Sequence, residues 1–107
     1  MKLPNYEKAT IRAEKLTEYL LSESHPVGFS KAAFFRKAGY VRQNVTEFMN
    51  ELRAIAGNEV SEKSPRQGGV NYTIIGLLKG SVKIKTVWTI DEGSDIPRFV
   101  TAYPHRG

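Results

Sequence analysis

The sequence predicts an α+β fold in which N-terminal helices pack on one face of a four-stranded antiparallel sheet. Three observations carry that expectation. Apolar residues recur at helical spacing in the first half of the chain, and after Gly57 the pattern changes to strand-like alternation. The later links, Pro65-Arg66-Gln67-Gly68-Gly69, Lys79-Gly80 and Glu92-Gly93-Ser94-Asp95, are short and turn-like, which suits a meander of hairpins better than parallel crossovers. Only one helical segment is strongly apolar, so a layer of helices over a sheet is expected rather than a bundle.

Taken in order, the first helix is expected over about 12–22, where Leu16, Tyr19 and Leu20 share a face. Ser24-His25-Pro26 should end it, because a proline pushes the residue before it out of helical backbone. In the second helix Ser30 is the expected N-cap, Ala32, Phe35 and Ala38 share one face, and Gly39 is the natural stop. The third carries Val45, Phe48, Met49, Leu52 and Ile55 on one stripe, with Asn44 as candidate cap and Gly57 as stop. Strands follow at about 59–64, 70–77, 81–91 and 98–103. In the third strand Val82, Ile84, Thr86, Trp88 and Ile90 fall on one face and Lys83, Lys85, Val87 and Thr89 on the other, which makes Trp88 a core residue. Strict alternation in the last strand sets Phe99, Thr101 and Tyr103 against Arg98, Val100 and Ala102. The 107 residues read as a single domain, helical over about 12–57 and sheet over about 58–103, with 2–8 and 104–107 loosely held.

Composition narrows the function classes. With 40% hydrophobic and 25% charged residues and no apolar run near the roughly 20 residues of a membrane span, a soluble protein with no membrane partner is expected. The absence of cysteine removes disulfides, thiolate metal sites and cysteine nucleophiles, and with no signal-like apolar N-terminus a reducing cytoplasm fits best. Glu14 with Glu18 and Glu47 with Glu51 stand at helical spacing typical of a solvated face, and no His-x-x-x-His occurs, so no metal site is expected. Neither a phosphate-binding glycine loop, a dinucleotide fingerprint nor a nucleophile elbow is present, so no cofactor is expected.

The net charge of +5 is unevenly distributed: Lys31, Arg36, Lys37 and Arg42 occupy a segment with no acidic residue, while the rest of the chain is close to balanced. A concentrated excess of this kind suits an anionic partner, nucleic acid ahead of membrane, although a solvated basic helix face explains it equally well. Just ahead of it runs His25-Pro26-Val27-Gly28-Phe29-Ser30-Lys31. A histidine can exchange protons near neutral pH, and a lysine in the first turn of a helix, with free backbone N–H groups, makes a pocket for a phosphate-sized anion. In RNA cleavage without metal, a histidine takes the ribose 2′-OH proton, a cation stabilises the charged phosphorane and an acid assists the leaving oxygen. His25 is the candidate base and Lys31 the stabiliser, with Arg36 or Lys37 extending the anion pocket. Arg98, Thr101 and Tyr103 form a second cluster near the other end, and Lys83 and Lys85 could contact phosphates or form the wet side of the sheet. His105, two residues from the end of the sequence, is the weaker of the two histidines as a rigid site.

The elements Leu3-Pro4-Asn5, Lys15-Leu16 with Tyr19-Leu20-Leu21, His25-Pro26-x-Gly28-x-x-Lys31-Ala32 with Phe35 and Gly39, Val87-Trp88, and Pro97-Arg98-x-x-Thr101-x-Tyr103-Pro104 resemble the small bacterial domain of unknown function 6883 along nearly the whole chain. That family is similar in element order to the metal-independent ribonuclease toxins that group barnase, EndoU, colicins and RelE. The resemblance implies a toxin-like endoribonuclease with His25 as base, Lys31 as transition-state stabiliser, Arg98 as substrate-phosphate clamp, and Thr101 and Tyr103 orienting the substrate or donating a proton. It also implies a cognate antitoxin as partner. EndoU-type sites use two histidines, and this sequence offers one well-placed candidate, His25. The alternative is a non-catalytic module that binds nucleic acid or protein through the 31–42 surface.

Overall fold

A computed structural model describes residues 1–20 and 29–105, with the side chains of 19, 20 and 29–31 outside the description. The chain is α+β: a four-stranded antiparallel sheet carries helices on one face. The helices are α1 (Ala13–Lys15), which runs into a π-helical turn at Leu16–Leu20, α2 (Phe29–Lys37) and α3 (Val45–Ala56). The strands are β1 (Val60–Arg66), β2 (Gly69–Leu78), β3 (Val82–Asp91) and β4 (Arg98–Pro104), ordered β1-β2-β3-β4 as an uninterrupted meander. No helix among the described residues is long and apolar enough to cross a membrane.

The apolar stripe of α3 explains the layer. Phe48, Leu52 and Ile55 are buried against the sheet, and Phe35 of α2 meets Phe48 with ring centroids 5.1 Å apart. Tyr40 also stacks on Phe48, with ring centroids 4.6 Å apart. Gly76 of β2 lets α3 come this close, because a Cβ there would lie 2.5 Å from a methylene carbon of Ile55. From the sheet, Tyr72, Ile74, Leu78, Ile84, Trp88, Phe99 and Ala102 complete the core. Trp88 is fully buried, as its face of β3 predicts. Its indole N–H donates to Thr86 Oγ1 at 2.8 Å, and the Thr86 hydroxyl donates to the Ile74 carbonyl at 2.8 Å, so both of these buried polar groups are paired.

Several local expectations are corrected. The first helix has only three α-helical residues before its backbone widens into the π-helical turn. Helix α2 already includes Phe29, so Ser30 lies within it rather than capping it. Gly39 does end α2, with φ of 98° and the Tyr40 N–H closing back on the Phe35 carbonyl at 2.9 Å. Asn44 makes no side-chain cap on α3; it accepts from the Val41 N–H at 2.7 Å and donates to the Gly39 carbonyl at 2.7 Å, fixing the α2-to-α3 link.

Neither end is loose within the described residues. Leu3 is 1% exposed, Lys2 pairs with Glu59, and the Val60 N–H donates to the Met1 carbonyl at 2.8 Å. At the other end Pro104 belongs to β4, and the His105 N–H donates to the Lys83 carbonyl at 3.2 Å. Apolar burial of Leu3 and continued strand pairing at His105 outweigh the chain-end entropy that favours fraying.

Candidate functional site: the outer face of the sheet

Among the described residues the helices pack on one face of the sheet and none packs on the other. Cross-strand register determines what that face carries, since partners directly opposite each other point the same way. Trp88 pairs with Tyr72 and Phe99, and Thr86 with Ile74 and Ala102, on the core side. On the outer side Thr89 pairs with Asn71 and Arg98, Val87 with Thr73 and Thr101, and Lys85 with Ile75 and Tyr103.

One irregularity produces this arrangement. Val87 opposes Thr101 and Trp88 opposes Phe99, so β4 holds one extra residue, Val100, and bulges there. The expected split of β4 is therefore wrong. Phe99 does not share a face with Thr101 and Tyr103: it points into the core, where its ring meets Trp88 edge-on at 5.3 Å, and Arg98, Thr101 and Tyr103 stand together on the outer side. Strict alternation forbids that grouping, and the bulge permits it. The Lys15 ammonium braces the irregular backbone by donating to the Val100 carbonyl at 3.1 Å. Partial burial, then the neighbouring Arg98 and Arg12 charges, lower the Lys15 pKa.

At one end of the outer face lies a charged cluster. Arg98 holds Asp91 through two bonds, Nε to Oδ2 at 2.7 Å and a terminal nitrogen to Oδ1 at 3.1 Å, and Arg66 reaches the same carboxylate at 2.7 Å. Arg66 Nε also donates to Thr89 Oγ1 at 3.0 Å, which passes its own proton to the Val70 carbonyl at 3.1 Å. Arg98, expected as a phosphate clamp, is thus engaged by a carboxylate; the trio of two arginines and one aspartate keeps one net positive charge. The Arg98 hydrogen bonds, and then those from Arg66, hold the Asp91 carboxyl below its ordinary value.

That shift carries a pH dependence. A depressed folded-state pKa stabilises the fold above the unfolded aspartate value of 3.8 and loses that contribution as pH falls through the lower folded value. The melting temperature of the native protein should therefore fall more steeply between pH 4 and pH 2 than that of Asp91→Asn (roughly the aspartate titration range). Parallel curves would show that the cluster adds nothing to stability.

At the opposite end stand Lys83 and Lys85, with Lys83 exposed and Lys85 half-buried beside Tyr103. The bond from the His105 N–H to the Lys83 carbonyl continues the β3–β4 pairing by one residue, which puts His105 on the outer face next to Lys83 and Tyr103. Sequence reasoning passed over this histidine. The available signal was Pro104-His105 directly following a strand pattern, at the alternation position of Tyr103.

The structure thus brings Arg98, Thr101, Tyr103, Lys83 and Lys85 onto one surface. Arg36 and Lys37 are exposed at the end of α2, in the layer of helices. His25 and the Lys31 side chain lie outside the described residues, although the Lys31 backbone does sit in the first turn of α2. Among the described residues no three histidine or acidic side chains gather as a metal site would require.

Sheet, helical layer and outer face together define a small α+β protein with a basic, partly apolar platform of four antiparallel strands. The chain belongs to the family described as domain of unknown function DUF6883, whose profile matches residues 2–106. No curated protein and no solved structure matches the chain.

Proposed function

We propose that this protein is a metal-independent endoribonuclease of the toxin-like type, holding RNA across the outer face of its sheet. The observation that carries the reading is the shared face of Thr101, Tyr103, Lys83, Lys85 and His105, created by the bulge at Val100 and the extension of β4. The residue types fit the task. An imidazole can take the 2′-OH proton, lysine ammonium groups balance the charge that grows on the phosphorane, and the Tyr103 phenol can stack on a base or donate to the leaving 5′-oxygen. Thr101 is a further hydroxyl for orienting the phosphate. In this scheme Arg98 acts by holding Asp91 and shaping the far end of the platform.

The test is to incubate the purified protein with total and transfer RNA in EDTA, beside His25→Ala and His105→Ala. Cleavage yielding 2′,3′-cyclic phosphate ends is expected, abolished in whichever variant lacks the base while RNA binding persists. Intact RNA after incubation with a folded protein that still retards it on a gel would replace the enzyme with a non-catalytic RNA-binding module.

A further inference from the structure

The sheet continues one short row beyond β4. The Thr10 N–H donates to the Pro97 carbonyl and the Phe99 N–H to the Thr10 carbonyl, each at 2.9 Å, so the backbone around Thr10 runs parallel to the start of β4 with Thr10 beside Arg98. Ala9 and Ile11 are buried in the core, and by alternation Thr10 and Arg12 turn to the outer side, where both are exposed. Arg12 is the last extended residue before α1. One turn later Lys15 reaches back to the Val100 carbonyl, so Arg12, Lys15 and Arg98 all belong to the border of the bulge.

Positive charge collects at this border. Its carboxylates are Glu14, 3.9 Å from Arg12 Nε and largely exposed, and Asp91, which Arg98 shares with Arg66. The four basic groups against two acidic ones leave two positive charges. Lys15 makes no ion pair among the described residues, and the charges that act on it, those of Arg98 and Arg12, are both positive. Among the described residues the Val100 carbonyl takes one of the three ammonium donors. A half-buried ammonium beside two cations is unfavourable by itself, and an anion seated among them relieves it.

We infer that the notch beside the bulge, between Arg12 and Lys15, seats a phosphate group of the RNA backbone. Arg12 supplies a fork of N–H donors, Lys15 a point charge, and a phosphate has oxygens enough to accept from both. The inference rests on RNA lying across the outer face and gives its path a second fixed point. Three residues separate Tyr103 from Val100, about 10 Å at the rise of a strand, so RNA that meets Lys85 and Tyr103 continues along β4 to the notch. Arg98 stays on Asp91 and contributes its charge from the side.

The test uses a fluorescein-labelled 2′-O-methyl decauridylate, which has no free 2′-OH and so cannot be cleaved by the proposed reaction. By anisotropy, Arg12→Glu and Lys15→Met should each bind it about tenfold more weakly than the native protein, with a salt slope shallower by about one for each, while Lys8→Glu changes affinity much less. Independently of any variant, millimolar inorganic phosphate at constant ionic strength should shift the NMR amide signals of Arg12, Lys15, Val100 and Thr101 in the native protein. Native-like binding by both variants overturns the inference and leaves the RNA reading standing, whereas a native protein that binds no oligonucleotide overturns both. The inference also falls if phosphate shifts are absent or centred on Lys83 and Lys85, if phosphate binds at the notch but neither variant weakens the oligonucleotide, which makes it a site for free phosphate, or if decaglutamate competes as well as unlabelled oligonucleotide, which makes the ligand an acidic protein segment.

Discussion

Trp88→Ala is expected to lower the stability of the protein by about 3–5 kcal/mol, the range for removing a fully buried large aromatic side chain. For a chain of this length that corresponds to a fall in melting temperature on the order of 15 °C. Three losses coincide. The cavity lies where sheet and helices meet, Phe99 loses its edge-on ring contact, and Thr86 Oγ1 loses its donor. Trp88→Phe separates these contributions: it keeps an aromatic ring but removes the N–H, so it should cost only about 1–3 kcal/mol. Thermal and urea unfolding of both variants measure the difference. Equal effects would mean that the indole N–H, rather than volume, carries the contribution.

With RNA held across the outer face as proposed, Lys85→Glu is expected to weaken its binding by about tenfold, and the double variant Lys85→Glu with Tyr103→Ala by about a hundredfold, since charge reversal and loss of a base-stacking ring each contribute on the order of 1–3 kcal/mol. The pair is cross-strand neighbours at the centre of the basic end of the outer face. Lys8→Glu supplies the control: it changes net charge by the same amount from an exposed turn at Tyr6–Lys8. Anisotropy measured over a range of salt should show the Lys85 variant with a shallower salt dependence than the native protein, because fewer phosphate contacts release fewer counterions. If Lys8→Glu and Lys85→Glu weaken binding equally, affinity follows overall charge and the outer face is not the RNA platform.

The fold was largely legible in the sequence because its signals are local. Helix α3 announces itself by five apolar residues on one stripe, and the strand boundaries follow glycine-containing turns that short hairpin connections require. Trp88 could be assigned to the core because β3 alternates without a break. The site was less legible because it depends on register. Nothing within Arg98-Phe99-Val100-Thr101-Ala102-Tyr103 reveals that Val100 is an extra residue; that becomes visible only when Phe99 is seen opposite Trp88 and Thr101 opposite Val87. His105 was hidden in the same way, since its place depends on a bond to the neighbouring strand. The basic segment containing Arg36 and Lys37 was conspicuous in sequence, yet in the fold those two side chains belong to the helical layer, apart from the sheet platform.

The bulge also determines which single-residue deletions β4 can absorb. Removing Val100 joins Phe99 directly to Thr101, and the pairs Trp88 with Phe99 and Val87 with Thr101 then become consecutive, with every side chain kept on its present face. Removing Ala102 instead brings Tyr103 or Thr101 to the position opposite Thr86, inside the core. The strand therefore has one spare residue, and a variant lacking Val100 can retain both the core and the outer platform.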